Sequence, residues 1–205
     1  MKKTFEIYDA CAEREQAKLN EYFDSLSQDG ISIAYVRYVG HLFEKKGYCV
    51  VYYGLQKNEI DSDIDIIAYD DFETIFIKCK YYCDDGALSQ KHILKFFEDS
   101  LLWISLHNTH PIIEHGVIIN IIATNTTLTL KAMQCAYSLN VQRYDKLYLD
   151  TNYPLIKCLF HQTLGYIYVL PWDEIYDKVN TKIFMKTIKE AEMEYSPVWA
   201  AEQYL

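Results

Sequence analysis

The stretch Asp61-Ser62-Asp63-Ile64-Asp65-Ile66-Ile67-Ala68 decides the fold predicted for this 205-residue chain. Side chains of a β-strand alternate between its two faces, so the three aspartates are expected on one face, with Ile64 and Ile66 on the other. A row of carboxylates at the end of a strand is a typical place for a divalent cation. The simpler alternative is that these charges are solvated on an exposed sheet face. The neighbouring sequence is needed to choose between a cation site and solvated charges.

A second strand, Ile75-Phe76-Ile77-Lys78-Cys79-Lys80, follows after a short turn. Lys78 and Lys80 share one face of this strand, with Phe76 in the same row. Carboxylates and lysines on neighbouring strands suit metal-dependent phosphodiester cleavage, in which the acids hold the cation and a lysine positions water or stabilises charge on the phosphate. The two strands together therefore predict a site for that chemistry.

Composition limits the classes of protein. Half of the residues are hydrophobic, with 19 Tyr and 9 Phe, so a sizeable core is expected, and no apolar stretch has the length of a membrane span. The N-terminal residues lack the hydrophobic region of a signal peptide, and the six cysteines are scattered, which together predict a cytoplasmic protein with reduced thiols. The net charge of −9 disfavours a broad DNA-binding surface and favours a protein partner.

Hydrophobic periodicity divides the chain into three parts. An N-terminal helical arm at 1–30 is expected to end at Asp29-Gly30, and a small C-terminal extension occupies 153–205, with a strand pair at 156–170 and a strand or helix at 183–194. The core, 31–152, has predicted helices at 32–46, 88–106 and 127–139 and predicted strands at 48–54, 64–69, 74–80 and 117–123. This order predicts an α/β fold with a central mixed sheet flanked by helices.

The order helix, three strands, helix, strand resembles the PD-(D/E)xK nuclease fold, and within it the Mrr-like restriction endonuclease group. The blocks that carry the resemblance are Tyr38-Val39-Gly40, Glu44-Lys45-Lys46-Gly47-Tyr48, Tyr52-Tyr53-Gly54, Asp65-Ile66-Ile67, Cys79-Lys80-Tyr81, Lys91-His92-Ile93, Thr124, Tyr153-Pro154-Leu155-Ile156-Lys157-Cys158, Leu170-Pro171, Tyr176-Asp177 and Glu190-Ala191-Glu192. The resemblance covers roughly residues 33 to 195 and implies a restriction-endonuclease-like core.

The resemblance also implies site residues. In that family a strand aspartate and a lysine belong to the metal site, and Asp65 and Lys80 stand at those positions, which makes them the expected catalytic pair. Three other positions depart from the family: Val36 replaces a helix glutamate, Lys78 a glutamate or glutamine, and Lys95 a helix glutamine. At 4 Å and an effective dielectric constant near 20, two unit charges repel by about 4 kcal/mol, and a Mg²⁺ ion beside Lys78 would feel about twice that.

Two functions remain open from the sequence. In the first, the chain is a Mg²⁺-dependent DNA endonuclease in which Asp63 joins Asp65 as metal ligand, Lys80 orients the attacking water, and Lys78 and Lys95 contact phosphates. In the second, cleavage is lost, the Lys78 ammonium is bridged to Asp65 or Asp63, and the domain binds nucleic acid or a protein partner. A homodimer formed through residues 6–28 is compatible with either function.

Overall fold

The computed structural model of the chain describes residues 2–56, 62–107 and 116–201, without the side chains of 2–9, 200 and 201. These residues form two compact units, one of residues 28–150 and one of residues 1–27 together with 151–205. The N-terminal segment thus groups with the C-terminal one. Every helix in the described residues is too short or too polar to cross a membrane.

The elements are numbered along the chain. The helices are α1 (Lys2–Asn20), α2 (Gln28–Lys46), α3 (Gln90–Leu106), α4 (Leu130–Ser138), α5 (Ile188–Ala191) and α6 (Val198–Ala201), with a 3₁₀ turn at Tyr53–Leu55. The strands are β1 (Cys49–Val51), β2 (Ile66–Tyr69), β3 (Glu73–Lys80), β4 (Val117–Thr124), β5 (Val141–Tyr144), β6 (Ile156–His161), β7 (Gly165–Val169), β8 (Ile183–Met185) and β9 (Ser196–Pro197).

The unit of residues 28–150 is built on a sheet with strand order β1-β2-β3-β4-β5. The first three strands pair antiparallel, whereas β3, β4 and β5 pair parallel. The predicted mixed α/β class is therefore confirmed. The sheet is buried on both faces: Ile75, Ile77 and Cys79 of β3 pack with α2, while Phe76 packs with α3 and α4. β5 was not predicted, because its sequence Val-Gln-Arg-Tyr lacks a hydrophobic run.

Three local predictions were wrong. Asp29-Gly30 does not break a helix, because both residues lie in the first turn of α2, where Asp29 complements the positive end of the helix dipole. Ile64 and Ile66 do not share a face: β2 begins only at Ile66, and Ile64 packs on the α3 side while Ile66 packs on the α2 side. The segment after β1 turns into the 3₁₀ helix instead of continuing as a strand to Gly54.

Two predicted helix ends are confirmed. Gly47 follows α2 with φ 102°, and Asn140 follows α4 with φ 53°, so both residues adopt the left-handed conformation that ends a helix. Gly47 N donates to Glu44 O at 3.0 Å, which satisfies one carbonyl of the last turn. These ends fix where the chain leaves each helix and enters β1 and β5.

The second unit is built on a sheet with order β8-β6-β7-β9. The predicted strand pair is confirmed as the antiparallel β6 and β7, and the region 183–194 contains both the strand β8 and the helix α5. The N-terminal helix α1 is part of this unit, since Gln16 Oε1 accepts a hydrogen bond from Ile188 N at 2.8 Å. One apolar cluster of the unit lies around Ile167, Val169 and Tyr176, and Cys158 and Tyr168 are buried on the other face of the sheet.

Candidate functional site

The backbone of Asp65 is fixed between two neighbouring segments, just before β2. Asp65 N donates to Ile77 O of β3 at 3.0 Å, and Asp65 O accepts from Gly54 N at 2.9 Å. Glycine favours the second contact, because a Cβ at position 54 would lie 3.0 Å from both Asp65 Cα and Asp65 Oδ1, so Asp65 would have to shift by a few tenths of an ångström. The close approach of the 3₁₀ turn thus holds the Asp65 carboxylate in place.

The Lys78 ammonium lies between two carboxylates. Its Nζ is 3.0 Å from Asp63 Oδ1 and 3.4 Å from Asp65 Oδ2. Asp65 Oδ2 also accepts a hydrogen bond from Cys79 N at 2.6 Å. The expected ion pair between Lys78 and the two aspartates is therefore present, and it forms on the sheet face that carries Phe76.

A second lysine and a third carboxylate come from α3. Lys95 Nζ is 3.2 Å from Asp99 Oδ2 and 3.9 Å from Asp63 Oδ2. Asp99 Oδ2 also accepts a hydrogen bond from Asp63 N at 2.6 Å. We call Asp63, Asp65, Lys78, Lys95 and Asp99 the ion cluster; its three carboxylates and two ammonium groups leave one negative charge.

Asp99 was missed by the sequence reasoning. The i,i+4 spacing of Lys95 and Asp99 on a helix was a usable signal for their pairing. The contact of Asp99 with the backbone of Asp63 joins groups 36 residues apart, and no sequence pattern marks it. Asp61, which the sequence placed beside the other two aspartates, lies outside the described residues.

The remaining predicted site residues lie elsewhere. Lys80 shares the β3 face of Lys78, but its Nζ is 5.8 Å from the centroid of the Tyr82 ring, and it forms no ion pair with the carboxylates of the cluster within the described residues. Val36 is 7% exposed and belongs to the apolar cluster between the sheet and α2, on the opposite face from Lys78. The position at which the sequence resemblance implies a helix acid is thus filled by a core residue.

Electrostatics keep Lys78 charged. Burial alone would lower the pKa of Lys78, but the attraction of Asp65 and Asp63 outweighs it, so the pKa is raised and the side chain stays protonated at neutral pH. Burial raises the pKa of Asp65, although Lys78 and the Cys79 N–H both favour the anion. The ammonium is therefore the stable cation between the carboxylates.

The ion cluster does not fit Mg²⁺. A magnesium site needs carboxylate oxygens that are directed at the metal in near-octahedral geometry. Here Asp63 Oδ1 and Asp65 Oδ2 contact the Lys78 ammonium, and no group of three metal-binding side chains is suitably placed in the described parts of the chain. The carboxylates of Asp63 and Asp65 are therefore neutralised by the Lys78 ammonium and not arranged around a metal ion.

Comparisons with known proteins give a distant likeness in structure. Neither a protein-family model nor a curated protein matches the sequence. The chain is similar to the crystal structure of AF1548, a protein of unknown function, with 18% identity and a TM-score of 0.41 over 56% of this chain and 59% of the other. It is also similar to the MspJI restriction endonuclease in complex with a 27-mer oligonucleotide, with 11% identity and a TM-score of 0.39 over 65% of this chain and 29% of the other. The chain thus spans less than two thirds of both proteins.

Proposed function

We propose that the unit of residues 28–150 is a restriction-endonuclease-like domain of the Mrr type that acts on DNA without metal-dependent cleavage. The observation that carries this proposal is the position of Lys78 Nζ, 3.0 Å from Asp63 and 3.4 Å from Asp65. The ammonium supplies the positive charge that the carboxylates need and leaves no open coordination position for water or phosphate. On this proposal the domain keeps the neighbouring aspartates of the site and has lost the cleavage reaction.

The energetics favour the ammonium over a metal ion. A divalent cation placed about 4 Å from an ammonium would be repelled by roughly 8 kcal/mol at an effective dielectric constant near 20. Lys78 has only 14% of its side chain exposed, so water screens this repulsion poorly. Metal binding would require Lys78 to leave both carboxylates.

Isothermal titration of Mn²⁺ and Mg²⁺ tests the proposal. We expect no cation binding to the wild-type protein at millimolar metal and Asp65-dependent binding in Lys78→Gln, which has the neutral residue found in the family. Lys78→Gln combined with Asp65→Asn should lose that binding. Lys95→Gln is the matched control, since it removes a lysine of the same cluster that is 50% exposed and farther from Asp65.

Cleavage assays decide between the two functions left open by the sequence. Incubation of wild-type protein with duplex and single-stranded DNA in the presence of Mn²⁺ should leave both substrates intact. Wild-type binding of Mn²⁺ that requires Asp65 and Asp63, together with DNA cleavage, would contradict the proposal and support an active nuclease.

DNA contacts in this domain would come from Lys80 and Lys95. Lys95 is 50% exposed and stands beside the ion cluster, so its ammonium can reach a phosphate while Lys78 stays buried. Fluorescence anisotropy with a labelled duplex at low salt should show weak binding that Lys80→Gln and Lys95→Gln reduce, with a salt dependence set by these few contacts.

A second candidate function is a protein-binding or regulatory module. The observation in its favour is the net charge of −9, which opposes DNA over most of the surface. If anisotropy detects no binding of DNA even at low salt, while the protein also binds no metal, this second function is the better explanation of the same ion cluster.

A further inference from the structure

The β6–β7 hairpin of the second unit carries exposed aromatic rings. Phe160 and Tyr166 lie directly opposite each other in the antiparallel register, so their side chains project from the same face. Phe160 is 62% exposed and Tyr166 is 63% exposed. The opposite face carries Ile167 and Val169, and Cys158 and Tyr168 are buried on the same face as the pair, so the exposed rings lie at the hairpin end of the sheet, beyond its buried part.

The rings are ordered by their neighbours. The centroids of Phe160 and Tyr166 are 5.2 Å apart in an edge-to-face arrangement, and Tyr166 packs in the same way on Tyr195 at 6.0 Å. Tyr195 is only 8% exposed and anchors the pair. Gly165 has φ 77° at the start of β7, which fixes the hairpin turn. Rings that are held in place lose little conformational entropy when they bind a partner.

The apolar surface continues across the sheet. The register pairs Cys158 of β6 with both Tyr168 and Ile183, which puts Ile183 on the same face as Phe160. Ile183 is 45% exposed. We call Phe160, Tyr166 and Ile183 the aromatic face. Three large exposed side chains side by side on one sheet are typical of an interaction surface.

Acidic groups border this face. Glu192 Oε1 lies 3.5 Å from the hydroxyl of Tyr168, and Glu192 and Glu194 are both exposed. Glu194 directly precedes Tyr195, whose ring packs on Tyr166, so its exposed carboxylate stands next to the aromatic pair. Burial and then this carboxylate raise the pKa of the Cys158 thiol on the same sheet face to about 12. These carboxylates disfavour phosphate-rich ligands beside Tyr166 and Tyr168 and attract cations.

From this combination we infer that the aromatic face binds an arginine-containing segment of a partner protein. Guanidinium groups stack on aromatic rings and pair with carboxylates, so one arginine can use Tyr166 and Glu194 together. Exposed aromatic pairs on a sheet also stack on nucleic-acid bases, but such platforms combine the rings with a positively charged groove. The carboxylates at this face favour the cationic peptide.

Titration of the full-length protein with a short arginine-glycine peptide tests the inference, with fluorescence of the labelled peptide as the readout. Phe160→Leu combined with Tyr166→Leu keeps the charge and should weaken binding by about fivefold or more, since each exposed cation–π contact contributes about two- to fivefold. Glu194→Gln should weaken it by about two- to fivefold. Tyr137→Leu is the control, because Tyr137 is 90% exposed in the other unit.

The outcomes separate surface charge from the proposed site. The inference is supported if affinity for the arginine-glycine peptide falls only in the ring and Glu194 variants. The wild-type protein should also bind a lysine-glycine peptide more weakly, because lysine lacks the planar guanidinium. Equal binding by all variants would mean attraction to the net charge alone and would overturn it. Tighter binding of oligothymidylate, weakened by the ring variants, would overturn it in favour of base stacking. Circular dichroism of each variant checks that the fold is kept.

Discussion

The two sheets of this protein place their charged and aromatic side chains differently. In the sheet of residues 28–150, both faces are covered, and the carboxylates of Asp63 and Asp65 are satisfied by Lys78 within the same unit. In the β6–β7 hairpin of the other unit, Phe160 and Tyr166 contact each other but leave most of their ring surface to solvent. In the first arrangement the charges compensate each other inside the unit, whereas the second leaves binding surface for another molecule.

This difference predicts where substitutions affect stability and where they affect binding. A buried charge that loses its partner costs several kcal/mol, because neither water nor protein compensates it. Removal of an exposed ring lowers the free energy of unfolding only slightly, because the ring is largely hydrated in the folded state. The four predictions below use this contrast in order of decreasing effect on the free energy of unfolding.

Asp65→Ala is expected to have the largest effect. It removes the acceptor of the Cys79 N–H and one of the two carboxylates beside Lys78. We expect urea denaturation to show a loss of about 2–4 kcal/mol. Asp71→Ala, an exposed carboxylate in the turn between β2 and β3, should change stability by less than about 0.5 kcal/mol. Equal effects of the two substitutions would show that the ion cluster is solvated.

Lys78→Met should cost about 1–3 kcal/mol at neutral pH, because Asp65 then loses its counter-charge and Asp63 keeps only the half-exposed Lys95. The pKa of Lys78 is raised in the folded state, so its contribution is fully present below the unfolded value of about 10.4 and is lost as the pH rises through the folded pKa. The difference in the free energy of unfolding between wild type and Lys78→Met should therefore become smaller above about pH 10.4.

Denaturation curves of both proteins at a series of alkaline pH values measure this difference. Tyr35 and Tyr48 also have raised pKa values, so wild type and variant should both lose stability in alkali, and only their difference reports on Lys78. If the difference in the free energy of unfolding stayed constant through the alkaline range, the ion pair of Lys78 with Asp63 and Asp65 would be contradicted.

Lys95→Met should have a small effect, about 0.2–1 kcal/mol, although Lys95 belongs to the same cluster. Its side chain is 50% exposed, so water screens its attraction to Asp99 and Asp63. Thermal denaturation at low and high salt should show that this small contribution falls with salt, whereas the larger contribution of Lys78 changes less.

Tyr166→Leu should leave the free energy of unfolding nearly unchanged, within about 0.5 kcal/mol, because the ring is 63% exposed. The same variant should lose affinity for the arginine-glycine peptide, which separates binding from folding at this position. A large loss of stability instead would mean that the ring pair supports the hairpin.

Much of the fold could be predicted from periodicity. The apolar run of β4, the alternation in β3 and the amphipathic α3 each specify an element by local pattern, and Gly47 and Asn140 mark helix ends by their backbone preference. The short strand β5 could not be predicted, because its position beside β4 is set by tertiary pairing, not by its own sequence. The Asp29-Gly30 pair predicts a helix break, but the first turn of a helix tolerates glycine, and Gly30 lies there in α2.

The site could be predicted only in part. The spacing of Asp63, Asp65 and Lys78 on two predicted adjacent strands indicated that their charges would meet, and they do, although both aspartates lie just before β2. Asp99 could not be placed, since its contact with Asp63 N depends on how α3 packs against the segment before β2. Lys80 shows the limit of alternation: a shared face does not ensure a shared contact.

The side chain of Asn125 continues the sheet beyond the end of β3. Asn125 Oδ1 accepts from Tyr82 N at 2.8 Å, and Asn125 Nδ2 donates to Tyr82 O at 2.8 Å, so one amide side chain replaces a residue of backbone pairing. Hydrogen exchange at the Tyr82 amide is consequently controlled by the opening of this side chain, although Tyr82 lies outside any strand. Slow exchange there would identify the segment after Lys80 as part of the same cooperative folding unit as β3 and β4.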